Sequence, residues 1–278
     1  MQADSHLDEN TAPDLYRQTL ANALADDPDF HIDLGDTFMT GKHPSRESAA
    51  RQYLAQRYCL CIVGQSAPVF LVLGNHDGEG RNRRDNLGTW SNSMRKRYFP
   101  NAVPGGFYTG SATKDPAAGL LQDYYAWEWG DALFIVLDPF WYASRQGGGS
   151  DNWARTLGAD KQGRGGVEAA PFYEWGGRNP DATDGFAEHR PGWDMPIHQL
   201  LVRNHVNVLF HGHDHFFSRQ ELDGVVYQLV PLPPCFVACG PRKMAACTSG
   251  PPISRRTARS TPTGRWCAPS VRTAVRAG

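Results

Sequence analysis

Pro68-Val69-Phe70-Leu71-Val72-Leu73-Gly74-Asn75-His76-Asp77 decides how this chain is read. Its unbroken apolar run predicts a strand buried on both faces, as in a sheet covered by helices. The run stops at a glycine, and side chains able to hold a metal or carry a proton follow at once. Open α/β sheets bind their ligands at such carboxyl ends of strands. The pattern repeats outward. Residues 30–34 (Phe-His-Ile-Asp-Leu) alternate like a strand and end at Gly35-Asp36, and residues 206–210 (Val-Asn-Val-Leu-Phe) form a strand ending at His211-Gly212-His213-Asp214-His215. Residues 132–137 are a second continuous apolar run, read as another buried strand ending at Asp138, and 225–230 are a further strand. Helices are expected at 12–25, where Tyr16, Leu20, Ala23 and Leu24 share a face, at 46–60, and at 194–204, with Ile197, Leu200 and Leu201 turned inward. Strands alternating with helices give an α/β fold. Two stretches, 78–119 and 139–193, lack a clear period and fit caps or lids.

The bulk properties exclude several classes. With 278 residues, 40% hydrophobic and 21% charged, the chain can bury a sizeable core. It has no apolar run long enough to cross a membrane and opens without a signal peptide. As the sequence stands the expectation is a soluble, cytoplasmic protein, or an extracytoplasmic one if a leader has been lost. The net charge of −1 hides an asymmetry: residues 235–278 carry +8 and no acid, and the rest carries −9. Four of the six cysteines also lie in that tail; Cys59 and Cys61 are too close together to staple a fold and have no matching partners for a zinc finger. The division expected is a domain over 1–234 and a basic tail over 235–278, disordered or out of frame.

Four short clusters carry chemistry: Asp4-Ser5-His6, Gly35-Asp36, Gly74-Asn75-His76-Asp77 and Gly212-His213-Asp214-His215. Mixed carboxylate and imidazole donors suit Zn, Mn or Fe better than Ca. Spacings of one residue let Asp4 and His6, or His213 and His215, reach one site from a tight loop. In this order the clusters resemble the calcineurin-like metallophosphoesterases, a superfamily that includes the purple acid phosphatases; the resemblance covers roughly residues 1–230. It implies a two-layer β-sandwich flanked by helices, here incomplete at both ends, with a dinuclear metal centre. It places Asp4, His6 and His215 on the first metal, Asp36 between the two, and Asn75 and His213 on the second. His76 is implied as a general acid, oriented by Asp77. The implied activity is metal-dependent hydrolysis of a phosphomonoester or phosphodiester by a metal-activated hydroxide, with two Mn, Fe or Zn ions and a phosphorylated small molecule or lipid as substrate.

The chain departs from that pattern in three places. The family has a further histidine between the last two motifs, whereas none occurs here between His76 and His189. The segment around 152–166 is short for the missing helix, strand and ligand, so the second metal site is expected to be weakened or lost; His189 is the nearest substitute and fits a loop residue better. Only three residues precede Asp4, fewer than the roughly five of an ordinary strand, so Asp4 and His6 are expected to be loosely fixed. The tail replaces the strands expected there. An alternative function follows from these departures: a degenerate, non-catalytic copy that binds a metal or a phosphorylated ligand without turnover. A nucleic-acid-binding arm is disfavoured, because the tail's charges are diffuse and its aromatics scarce. Two further features have competing explanations. Arg81, Arg83, Arg84, Arg95, Lys96 and Arg97 could grip a phosphate or form a solvated loop, and Trp141, Tyr142, Trp153, Phe172, Tyr173 and Trp175 could wall a substrate site or pack a core.

Overall fold

The computed structural model describes residues 1–8, 11–80, 85–138, 140–141, 194–213 and 215–233. The tail, His189, Asp214, the segment at 152–166, the first three arginines of the basic stretch and the aromatic residues beyond Trp141 lie outside the described residues.

The N-terminal half is an α/β unit. Helix α1 (Pro13–Ala25) starts with proline at its first position, where the missing N–H costs nothing. It leads to strand β1 (His31–Asp33), helix α2 (Arg46–Gly64) and strand β2 (Val69–Leu71). Ser45 caps α2 by accepting from the Ser48 N–H, and the Ser48 side chain returns the bond to the Ser45 N–H. β1 and β2 are parallel, pairing His31 with Val69 and Asp33 with Leu71, with α2 as the crossover. Gln2 forms a parallel bridge to Asp33 on the other side of β1.

β2 lies between two cores, which is why its sequence is apolar without a break. Val69 and Leu71 pack on the helical core of Tyr16, Leu20, Tyr53, Leu60, Val63 and Met94. Phe70 points the other way, stacking on Trp127 with ring centroids 4.1 Å apart, in a core shared with Ile32, Tyr125 and Val136. The second core comes from strands β6 (Tyr125–Trp129) and β7 (Ala132–Val136), a hairpin extended by β3 (Thr109–Gly110). A small ladder pairs β4 (Lys114–Asp115) with β5 (Gly119–Leu120). In the C-terminal part, helix α4 (Ile197–Arg203) packs Ile197 on Val225 and Tyr227. Those two residues belong to the sheet β8 (Val208–His211), β10 (Val225–Leu229) and β9 (Ser218–Leu222), in that spatial order.

Three expectations from sequence need correction: Leu200, expected to turn inward on α4, is 41% exposed, and two stretches differ from their reading. The 78–119 stretch contains helix α3 (Leu87–Tyr98), whose inward face is polar: Ser91, Asn92 and Arg95 are buried beside Met94. A helix that buries arginine and asparagine shows no apolar period. Strand β7 is buried on one face only, because Leu133 is 63% and Ile135 58% exposed. Among the described residues no helix is long and apolar enough to cross a membrane.

Candidate metal centre

The carboxyl ends of β1, β2 and β8 bring their motif loops together beside the N-terminal segment. Gly35 and Gly74 meet backbone to backbone: a Cβ on Gly35 would lie 2.3 Å from the Gly74 nitrogen, and one on Gly74 2.2 Å from the Asp36 nitrogen. No side chain fits at either position. Gly212 lies equally close to Asp4, where a Cβ would come within 2.5 Å of Oδ2.

Asp4 and His6 are firmly fixed, contrary to the expectation from the short N-terminus. Backbone bonds run from Gln2 N to Ile32 O, Leu34 N to Gln2 O, Asp4 N to Gly35 O and His6 N to Asp36 O, all between 2.9 and 3.1 Å. A buried polar chain reinforces them. Gln2 Nε2 donates to Tyr16 and Asp33, the Tyr16 hydroxyl donates to Gln56, and Gln56 Nε2 donates to Ser5 Oγ and the Thr37 carbonyl. Gln52, one turn earlier on α2, donates to the His6 carbonyl. Such anchoring is needed, since Asp4, His6, Asp36, His213 and His215 all have φ between 50° and 87°. Non-glycine residues held there cost about 1–3 kcal/mol each, and such strain clusters at functional sites.

The structure brings most of the expected ligands together. Ligand atoms of Asp4, His6 and His215 all lie within 4.8 Å of one another. The His6 and His215 rings meet edge to face with centroids 4.7 Å apart. Both Asp4 oxygens accept from the His213 N–H, at 2.9 and 2.8 Å. Asp36 Oδ2 is 3.9 Å from His6 Nε2, and its Oδ1 accepts from the His76 N–H at 2.7 Å. Asn75 Oδ1 and His213 Nδ1 are 2.9 Å apart. The His76 ring stands 5.9 Å from that of His6. Asp4, His6 and His215 are the one three-residue group of this kind among the described residues; Asn75 and His213 form a separate pair.

The electrostatics call for a cation. Burial, then the charge of Asp36, pushes Asp4 up to about 8. Burial also lifts Asp36, and burial followed by the charge of Asp36 lifts Asp77 to about 8 against the pull of its N–H donors. Burial, then the charge of His215, pushes His6 down to about 3. His6 Nε2 is buried without a hydrogen-bond partner, 4.0 Å from Asp4 Oδ1 and 3.9 Å from Asp36 Oδ2. Those gaps are too long for hydrogen bonds. A neutral imidazole lone pair facing two crowded carboxylates is a donor set for a divalent metal, so the residues present fit one.

A family model described as calcineurin-like phosphoesterase matches residues 3–217. The chain belongs to that family. No curated protein matches it. Calcineurin-like phosphoesterases hydrolyse phosphate esters and usually bind divalent metals, and the Asp/His group sits within the matched region.

In this family member several residues take posts that the sequence did not assign. Asp77 was expected to orient the His76 ring. Its carboxylate is instead filled by four backbone N–H groups: Asp36 and Gly74 on Oδ2, Thr37 and Phe38 on Oδ1. Asp77 therefore clamps the Gly35 and Gly74 loops together, and its described bonds leave the imidazole alone. Of the basic stretch, Arg95 is buried against Glu79 at 2.5 Å, Lys96 donates to the Ala118 and Leu120 carbonyls, and Arg97 lies over Tyr98. Arg95 and Lys96 are thereby committed inside the protein. Trp141 is buried as well. His198 is structural, bonded to Tyr227 and Asp223. The supporting residues Gln2, Gln52 and Gln56 escaped the sequence reading, and Tyr16 was read there only as part of a helix face. One signal was available: Gln52 and Gln56 are one turn apart on the face of α2 that also buries Tyr53, Leu60 and Val63.

Proposed function

We propose that this chain hydrolyses a phosphate ester at a metal centre formed by Asp4, His6, His215, Asp36, Asn75 and His213. The observation that carries the reading is the orphaned His6 Nε2 facing Asp4 and Asp36. Asp4, His6 and His215 would hold one metal, Asp36 would be shared, and Asn75 with His213 would hold a second. Bound there, the metals supply Lewis-acid charge for phosphoryl oxygens and lower the pKa of water. The protein's own part is positioning. Asp36 keeps His76 beside the centre through its backbone bond, and the imidazole carries the proton for the leaving alkoxide. Asp77 acts at one remove, by joining the two loops. In the same reading the β1–β2 pair and the β6–β7 hairpin, which share the aromatic core, are opposed layers of a sandwich.

The test is hydrolysis of phosphomonoesters and diesters after loading with Mn, Fe or Zn, with Asp36→Asn and His76→Ala as controls. Large losses in both variants support the reading, and unchanged activity in both removes it. A second reading has one observation in its favour: among the described residues Asn75 and His213 pair with each other, and the one three-residue group is that of Asp4. It predicts a chain that binds metal and phosphate without turnover, seen as saturable phosphate binding with no product under any metal.

A further inference from the structure

We infer that Lys42 binds the free phosphoryl oxygens of the substrate and makes this site prefer phosphomonoesters to diesters. The inference rests on the hydrolytic reading above and names its substrate class. Lys42 ends a single 3-10 turn, Thr40–Lys42, that directly follows the Asp36 loop. That turn is rigidly held. Lys42 N donates to Met39 O, and the Thr40 hydroxyl donates to the carbonyl of Asp77 and bonds the Tyr53 hydroxyl.

The ammonium is held only by a long ion pair to Asp8, whose Oδ2 is 3.9 Å away, and the side chain is 51% exposed. That Asp8 oxygen also lies 3.8 Å from His6 Nδ1, so Lys42 stands one residue away from an expected ligand. Its charge bears on His6, Asp36 and His76, and for His76 it is the largest charge effect. Among the described residues, Arg95 is spent on Glu79, Lys96 on carbonyls, and Arg46 on Asp85 and Trp90. A lysine on a flexible stem, fixed at its root and only loosely paired at its tip, can turn toward an anion in the site.

The ester class follows from charge. A phosphomonoester near neutral pH presents a nearly dianionic group with three terminal oxygens. A diester presents one negative charge, and its second ester arm replaces one of those oxygens. A cation at the rim therefore favours the monoester and the inorganic phosphate it releases.

The experiment compares wild type, Lys42→Met and Lys42→Arg, each loaded with the same metal. Inorganic phosphate binding is measured by calorimetry, metal content by elemental analysis, and kcat/KM on a monoester and a diester. Lys42→Met is expected to weaken phosphate binding about tenfold and raise the monoester KM similarly. Metal content should hold, diester kcat/KM should change less, and Lys42→Arg should recover most of the phosphate affinity. Unchanged phosphate binding in Lys42→Met overturns the inference. So does loss of metal in that variant, which would make Lys42 a prop for Asp8 and His6. A wild-type protein that binds no phosphate and hydrolyses neither ester would instead remove the hydrolytic reading itself.

Discussion

The two halves of the candidate centre are built to different standards. Asp4, His6 and His215 form a group in which His215 is exposed and the two N-terminal members hang on backbone bonds to the β1 segment and on glutamines from α2. Asn75 and His213 hold each other across two loops, with Asp36 as their neighbour toward the first group. The first half has ligands, partners and a lone pair waiting. Among the described residues the second has two donors of its own, Asn75 and His213, against three. Affinity at a metal site depends on how well its ligands are pre-set as well as on their identity. The first half should therefore bind on its own, and the second only once the first is filled.

The largest effect should follow from Asp36→Asn, because Asp36 lies between the halves, 3.9 Å from His6 and bonded to the His76 N–H next to Asn75. Hydrolysis should fall about a thousandfold or more, with loss of the weaker metal. If activity survives, the halves do not work as one centre. Next, His76→Ala should lower kcat by about a hundredfold while metal content stays the same, since the ring is beside the centre rather than in it. A parallel loss of metal would make His76 a ligand. His215→Ala and Asn75→Ala sharpen the contrast itself. Metal affinity in His215→Ala should drop at least about a hundredfold, whereas Asn75→Ala should retain the tight metal and lose the weak one; equal losses would erase the difference between the halves.

Smaller effects concern the frame. Each oxygen of Asp77 serves two N–H groups, so Asp77→Asn strips two donors of their acceptor whichever way the amide turns. Urea unfolding should show a loss of about 2 kcal/mol or more. A modest pH effect is expected away from the metals. Burial, then the charge of Asp123, raises Asp138 well above its ordinary 3.8. The folded state therefore holds that proton more tightly than the unfolded chain does. Its contribution is fully present below about pH 4 and fades as pH rises toward the folded value. The urea midpoint should decline over that range, and Asp138→Asn should flatten the decline.

Much of this was legible in the sequence, for physical reasons that differ from element to element. Strand β2 announced itself because both of its faces are buried, and α1 because Tyr16 and Leu20 repeat at helical spacing. The glycines flanking the motifs were visible as residues, but their purpose, two backbones touching without room for a Cβ, appears only in space. Helix α3 was illegible because it buries Arg95, Asn92 and Ser91, which ordinarily mark a solvated face. β7 was over-read, since an apolar run does not reveal that Leu133 and Ile135 face solvent. The candidate ligands stood out because Asp, His and Asn beside strand ends have little other use in that order. The residues that hold them could not, because a glutamine under a site looks in sequence like any surface glutamine.

The central claim is that Asp4, His6 and His215 make a metal site that stands without the other half. Metal content per chain, read by elemental analysis after loading with Mn, Fe or Zn and passage through a desalting column, tests it most directly. Wild type and Asn75→Ala are each predicted to keep about one equivalent, His6→Ala none, and wild type a second equivalent only under excess metal. A wild type that keeps no metal, or a His6→Ala variant that keeps as much as wild type, would contradict the account.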